Sequence, residues 1–107
     1  MSLANTTWNL NDGSGTSATI NFGASVTTSG NPAGYGTVTH NYSTGAQVVD
    51  ITWIEDGNGR FMYQTKGPTE NSELPTITGT YNETTAMGWG SNFDAIWGTW
   101  SVSMSKQ

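Results

Sequence analysis

This sequence predicts an all-β fold, an antiparallel meander of eight strands closed into an up-and-down barrel, and three observations carry the prediction. Apolar and polar residues alternate with period two along most of the 107 residues, which sets each apolar group on one face of a pleated strand. Short Gly-, Asn- and Asp-rich segments interrupt these runs at hairpin spacing. No window sustains the 3.6-residue apolar period of an amphipathic helix. A two-sheet β-sandwich fits the same strands and is the alternative architecture.

The strands are expected near residues 4–10, 16–22, 35–42, 47–55, 59–65, 75–81, 84–89 and 95–105. In the first, Thr6, Trp8 and Leu10 alternate with polar residues, as do Ala18, Ile20 and Phe22 in the second. Gly36, Val38, His40 and Tyr42 mark a third strand, and Val49, Ile51 and Trp53 a fourth. Phe61, Tyr63 and Thr65 follow, then Ile77, Gly79 and Tyr81, then Thr85, Met87 and Trp89. Ile96, Gly98, Trp100, Val102 and Met104 share a phase in the last strand. Trp8, Ile20, Ile51, Trp53, Phe61, Ile77 and Trp100 should therefore meet in one core, since a one-residue slip would turn each set outward. Val48, Ile54 and Trp97 fall on the opposite face, where they offer apolar area for association with a second copy.

The turns agree. Asp56-Gly57-Asn58-Gly59 and Asp12-Gly13-Ser14-Gly15 read as hairpin connections, Asn82-Glu83 as a two-residue turn, and Ser43-Thr44-Gly45 as another. Segments 23–34 and 66–74 read as longer exposed loops, the places where binding residues gather on a rigid scaffold. Short links make each strand pair with its neighbour in sequence, and closing eight such strands removes both exposed edges.

Composition bounds the function. The length suits one domain, residues 1–107, with a small core. Three Lys and Arg stand against eight Asp and Glu, a net charge of −5, so nucleic acid is excluded as a partner for want of clustered cations. No apolar run is long enough for a membrane helix, so no such insertion is expected. The chain has no cysteine, hence no disulfide and no thiolate metal site. Charged residues are only 10% against a usual ~25%, and Thr, Ser, Asn and Gly supply the polarity. Such surfaces are common on exported β proteins, which favours a secreted or cell-surface location, although no signal peptide is visible. Met1-Ser2-Leu3 reads as a remnant appended to the fold.

With the strands in place, the chain resembles the calycin group of barrels, the lipocalins, fatty-acid-binding proteins and avidins. Thr7-Trp8 on the first strand resembles their common opening, and Gly79-Thr80-Tyr81 and Gly98-Thr99-Trp100 resemble their Gly-Thr-aromatic repeats. The spacing from Thr7-Trp8 to Gly13-Ser14 is similar to the start of the avidin barrel. That resemblance implies a barrel with a pocket for a small ligand, and gives Ser14 the position of the serine that holds the ligand's ureido group in avidins. Leu10 stands where that family has an asparagine two residues after the Trp, so the resemblance implies no named ligand.

The densest candidate site is Gly88 to Trp100, where Trp89, Phe93, Trp97 and Trp100 interleave with Asn92 and Asp94. Sugars need that pairing: C–H faces stack on aromatic rings while fixed polar groups bond the hydroxyls. Trp89 and Trp97 would stack, Asn92 and Asp94 would bond, and Ser14 would join them. Taken singly, Trp89 and Trp100 read as core packing with Asn92-Phe93-Asp94 as a turn, whereas Trp97 lies on the phase opposite Ile96, Trp100 and Val102. Glu55 and Arg60, at the base of the Asp56–Gly59 hairpin, read as a cross-strand ion pair.

Enzyme signatures are absent. His40 is the only histidine, no Gly-x-Ser-x-Gly elbow exists, and Glu55, Asp56 and Asp94 read as solvated carboxylates rather than a glycosidase pair. Asp56-Gly57-Asn58-Gly59 begins like a calcium loop, but Arg60 and Phe61 break the ligand pattern. The three Asn-x-Ser/Thr triplets at Asn5, Asn41 and Asn82 are what so Asn- and Thr-rich a chain contains by composition. The expected function is a non-catalytic binding module for a small molecule or carbohydrate, with no cofactor and no metal. The runner-up is a protein-interaction domain, an inhibitor or assembly subunit presenting loops 23–34 and 66–74.

Overall fold

A computed structural model of the chain describes residues 2–11, 13, 15–65, 76–91 and 99–107. Eight strands follow one another: β1 (Thr6–Asn11), β2 (Ser17–Ser25), β3 (Ala33–Tyr42), β4 (Gly45–Glu55), β5 (Arg60–Thr65), β6 (Thr76–Tyr81), β7 (Thr85–Ser91) and β8 (Thr99–Lys106). Each pairs antiparallel with the next, and β8 returns to β1 through Lys106 opposite Trp8 and Ser103 opposite Asn11. The result is a closed eight-stranded up-and-down barrel with no helix among the described residues, which decides against the sandwich.

Period two dictates the interior. Trp8, Ile20, Phe22, Val38, Ile51, Trp53, Phe61, Tyr63, Ile77, Val102 and Met104 are all buried. The rings of Trp53, Phe61 and Tyr63 lie 5.9, 6.4 and 6.2 Å from that of Phe22, edge to face, the arrangement their quadrupoles prefer. The indoles buried among the described residues find acceptors, Trp8 Nε1 on Thr6 Oγ1 at 2.9 Å and Trp53 Nε1 on the Tyr35 carbonyl at 3.1 Å. The side chain of Trp100 lies outside the described residues, as does all of segment 66–75.

Five expectations change. Segment 23–34 is shorter as a loop than its composition suggests, because β2 continues to Ser25 and β3 begins at Ala33. Gly23, Gly34 and Gly36 make that continuation possible: a Cβ on Gly36 would stand 2.0 Å from the Asn21 carbonyl oxygen. The Asn82 turn also takes in Thr84, since Asn82 Oδ1 accepts the Thr84 and Thr85 amides at 2.9 and 2.8 Å. Leu3 is no appendage, being fully buried in the core.

The fourth change concerns β7. Ala86, Gly88 and Gly90 face inward, so Met87 and Trp89 face out and are 64% and 61% exposed. Gly79 of β6 and Gly88 of β7 stand opposite one another, and a Cβ on Gly79 would lie 2.0 Å from the Met87 carbonyl oxygen. Small residues on this wall leave room for the rings entering from elsewhere, so the large side chains of β7 have only the outside to occupy. Trp89 is therefore not core packing.

The fifth change is at the β4–β5 hairpin. Arg60 pairs with Asp56, Nε to Oδ2 at 2.6 Å, and not with Glu55, whose position on the inward phase of β4 leaves it 3% exposed.

Candidate functional site

Strand directions sort the connections between two ends. The β2–β3, β4–β5 and β6–β7 links and both termini lie at one end, and the other four links lie at the opposite end. The two ends differ chemically.

The first end is sealed. Residues 2–5 fold back under the barrel, with the Asn5 amide donating to the Gly23 carbonyl at 3.2 Å. Asn5 takes a left-handed φ of 60° to make that reversal, a conformation Asn tolerates better than most residues. Leu3 enters the core, and its amide donates to Glu55 Oε2 at 2.9 Å. The Tyr81 hydroxyl donates to the same oxygen at 2.8 Å. Burial, reinforced by that hydrogen bond and the nearby carboxylate, pushes the Tyr81 phenol up to about 12. Outside the seal, the Asn58 amide and the Arg60 guanidinium and amide hold the half-buried Asp56 carboxyl down at about 2.

The second end is different. The inward phase of β3 continues past buried Val38 to His40 and Tyr42, and that of β4 runs back from buried Ile51 through Val49 to Gln47. On β5 it passes from buried Tyr63 to Thr65. None of these terminal positions is buried: His40, Val49 and Thr65 are half-buried, while Gln47 and Tyr42 are exposed. The His40 and Tyr42 rings stack, centroids 5.7 Å apart and planes 20° from parallel. Gln47 stands directly opposite His40 across the β3–β4 pair. Among the described residues, this mouth combines a flat aromatic surface with an amide and a hydroxyl and carries no carboxylate.

Of the residues singled out from sequence, Ser14, Asn92, Asp94 and Trp97 lie outside the described residues. Their flanks do not: Asn11, Ser17, Ser91 and Thr99 are strand ends at the mouth, so both segments connect strands there. Trp89 sits one turn of the pleat before Ser91 but on the outer wall, not in the lumen. Sequence reasoning missed His40, Tyr42, Gln47 and Thr65. The available signal was that His40 and Tyr42 extend the apolar phase of β3 with polar-edged rings, as a wall does where it leaves the core.

Glu55, Asp56 and Arg60 cluster at the sealed end, and among the described residues no three His, Cys, Asp or Glu side chains gather as a metal site would require. No described helix is long and apolar enough to cross a membrane. No protein-family model matches this chain, and neither does any curated protein or solved structure.

Proposed function

We propose that this protein is a non-catalytic binding module that takes a small neutral ligand, a sugar or a heterocycle of similar size, at the mouth of its barrel. The observation that carries the reading is the asymmetry of the inward-facing positions. At one end they are closed over by Leu3, Glu55 and Tyr81, and at the other His40, Gln47, Val49 and Thr65 remain accessible. Ligand sites are concave and mostly apolar with a few placed polar groups, and eight strands leave room for one small molecule or for packed side chains. Here buried side chains fill the lower part, and the inward-phase side chains toward the mouth are half-buried or exposed. Ser14, Asn92, Asp94 and Trp97 belong to the proposal as further contacts from the segments that connect strands at that end. Trp89 belongs to it as an outer-wall residue beside the mouth.

Intrinsic fluorescence titrated against monosaccharides, disaccharides and small heterocycles tests the reading. At least one class should change the emission saturably. His40→Ala and Gln47→Ala should each weaken that response about tenfold or more while leaving the melting temperature near that of the parent. A hydrogen bond or stacking contact worth ~1.5 kcal/mol corresponds to that factor. No response from any class, or a response untouched by both substitutions, would remove the proposal.

A further inference from the structure

The β4–β5 turn at the sealed end holds two residue pairs open to attack by their own main chain, Asp56-Gly57 and Asn58-Gly59, and the second is the only Asn-Gly in the sequence. In such pairs the amide nitrogen of the following residue can reach the side-chain carbonyl carbon, and a following glycine has no side chain to shield that nitrogen. The fold treats the two pairs differently. Asp56 is engaged through both oxygens: Oδ1 accepts the Asn58 and Arg60 amides at 2.8 and 3.0 Å, and Oδ2 accepts Arg60 Nε at 2.6 Å. Those donors keep the carboxyl ionised, a form with no leaving group to give up. Asn58 is exposed, and neither its side-chain amide nor the Gly59 N–H has a hydrogen-bond partner among the described residues. Asn82, in the β6–β7 turn at the same end, is the contrast. Its Oδ1 accepts the amides and hydroxyls of Thr84 and Thr85, and Glu83 follows it.

We infer that Asn58 is a self-modification site, converting to aspartyl and isoaspartyl residues in the folded chain with water as the only co-reactant. The Gly59 nitrogen bonds to Asn58 Cγ, the Cγ–Nδ2 bond breaks, and ammonia leaves with the proton that the Gly59 amide gives up. Water then opens the cyclic imide, its hydroxyl going to carbon and its remaining hydrogen to nitrogen. Opening at Cγ gives aspartate. Opening at the Asn58 main-chain carbonyl gives isoaspartate, whose main chain runs through Cβ and Cγ. Either product makes the chain one charge more negative than −5, two residues from the exposed Arg60. Only the isoaspartyl product lengthens the main chain, and it does so inside a turn pinned on both sides. The Asp56 amide donates to the Arg60 carbonyl at 3.0 Å, and the Tyr81 amide donates to the Gly59 carbonyl at 2.7 Å. Gly59 holds a left-handed φ of 85°, and a Cβ there would stand 3.0 Å from the Tyr81 carbonyl oxygen, so the turn lies close against β6. Tyr81 also supplies the hydroxyl that bonds Glu55 in the seal. The added atom therefore loosens the end of the barrel opposite the mouth.

Incubation of the full folded chain at mildly alkaline pH, beside the same chain in guanidinium chloride, tests this by ion exchange and peptide mapping. Folded Asn58 should convert within about tenfold of its rate in denaturant, the factor that one hydrogen bond is worth. Asp56 and Asn82 should stay unaltered over the same period in the folded chain. Asn58→Gln should yield no acidic form from this turn. The isolated isoaspartyl form should melt about 4–8 °C below the parent, the shift that loss of one hydrogen bond produces in a chain of this size. Asn58→Asp, which carries the same charge without the extra main-chain atom, should melt as the parent does. Conversion of Asn58 confined to the denatured chain overturns the inference, as does conversion of folded Asp56 or Asn82 at the rate of Asn58. An isoaspartyl form that melts with the parent overturns the loosening of the sealed end.

Discussion

Glu55 shows how a single side chain can be read wrongly from its neighbours and correctly from its phase. Beside Asp56 and Arg60 it resembles one more hairpin charge, yet it shares the inward face of β4 with Ile51 and Trp53. A buried carboxylate needs donors, and it finds the Leu3 amide and the Tyr81 hydroxyl. Tyr81→Phe should therefore cost about 1–3 kcal/mol, the penalty for leaving a buried acceptor short of a partner. The pH dependence follows from the raised phenol. The folded form holds its proton up to about 12, against 10 in the ordinary case, so the contribution is complete below pH 10 and is lost as pH rises from 10 to 12. Urea titrations across that window should show stability falling with pH in the parent and a flatter profile in Tyr81→Phe. Asp56 acts in the opposite sense: its carboxyl is held low, at about 2, so the hairpin contribution is present above pH 4 and lost as pH falls toward 2.

Among the elements, β7 marks the boundary of what the sequence discloses. In the other strands the buried large residues lie on the phase that period two marks as apolar, although Tyr35, Val48, Ile54 and Met62 stand exposed on the opposite face. In β7 the pattern Met87, Trp89 is just as regular but points outward, because Gly79, Gly88 and Gly90 form the inner wall. Periodicity finds two faces and cannot tell which is inside; that depends on what β6 and β8 place next to it. The seal was equally hidden, since Leu3 lies in no alternating run and only the closed barrel shows the opening it fills. By contrast, the hairpins, the strand order and the closure were legible, because short links and turn chemistry leave few pairings open. Gly79→Ala tests the account of β7 directly. Its Cβ would meet backbone atoms of Met87 and Gly88 at 2.0 and 2.6 Å, which no rotamer change relieves. The variant should lose at least about 3 kcal/mol in urea titration or fail to fold, whereas Thr78→Ala on the outer face should stay within about 1 kcal/mol of the parent.

For the whole molecule, the surface explains how so small a barrel manages with so few charges. Cross-strand amide and hydroxyl pairs do the work elsewhere given to ion pairs: Thr7 to Asn21 at 2.7 Å, Asn41 to Ser17 at 3.2 Å, Gln64 to Thr76 at 3.3 Å and Gln107 to Asn9 at 2.8 Å. These contacts should be insensitive to salt, unlike exposed ion pairs. With the edges joined and one end plugged, the accessible inward-phase positions among the described residues lie at the mouth, and the binding proposal depends on them. The most direct test is the broadening of NMR signals by a neutral, soluble paramagnetic gadolinium chelate. The account predicts strong broadening of His40, Gln47, Val49 and Thr65 side-chain signals, with those of Leu3, Phe61, Ile77 and Tyr81 protected. Equal broadening at Leu3 and Tyr81, or protection of Val49 and Thr65, would contradict it.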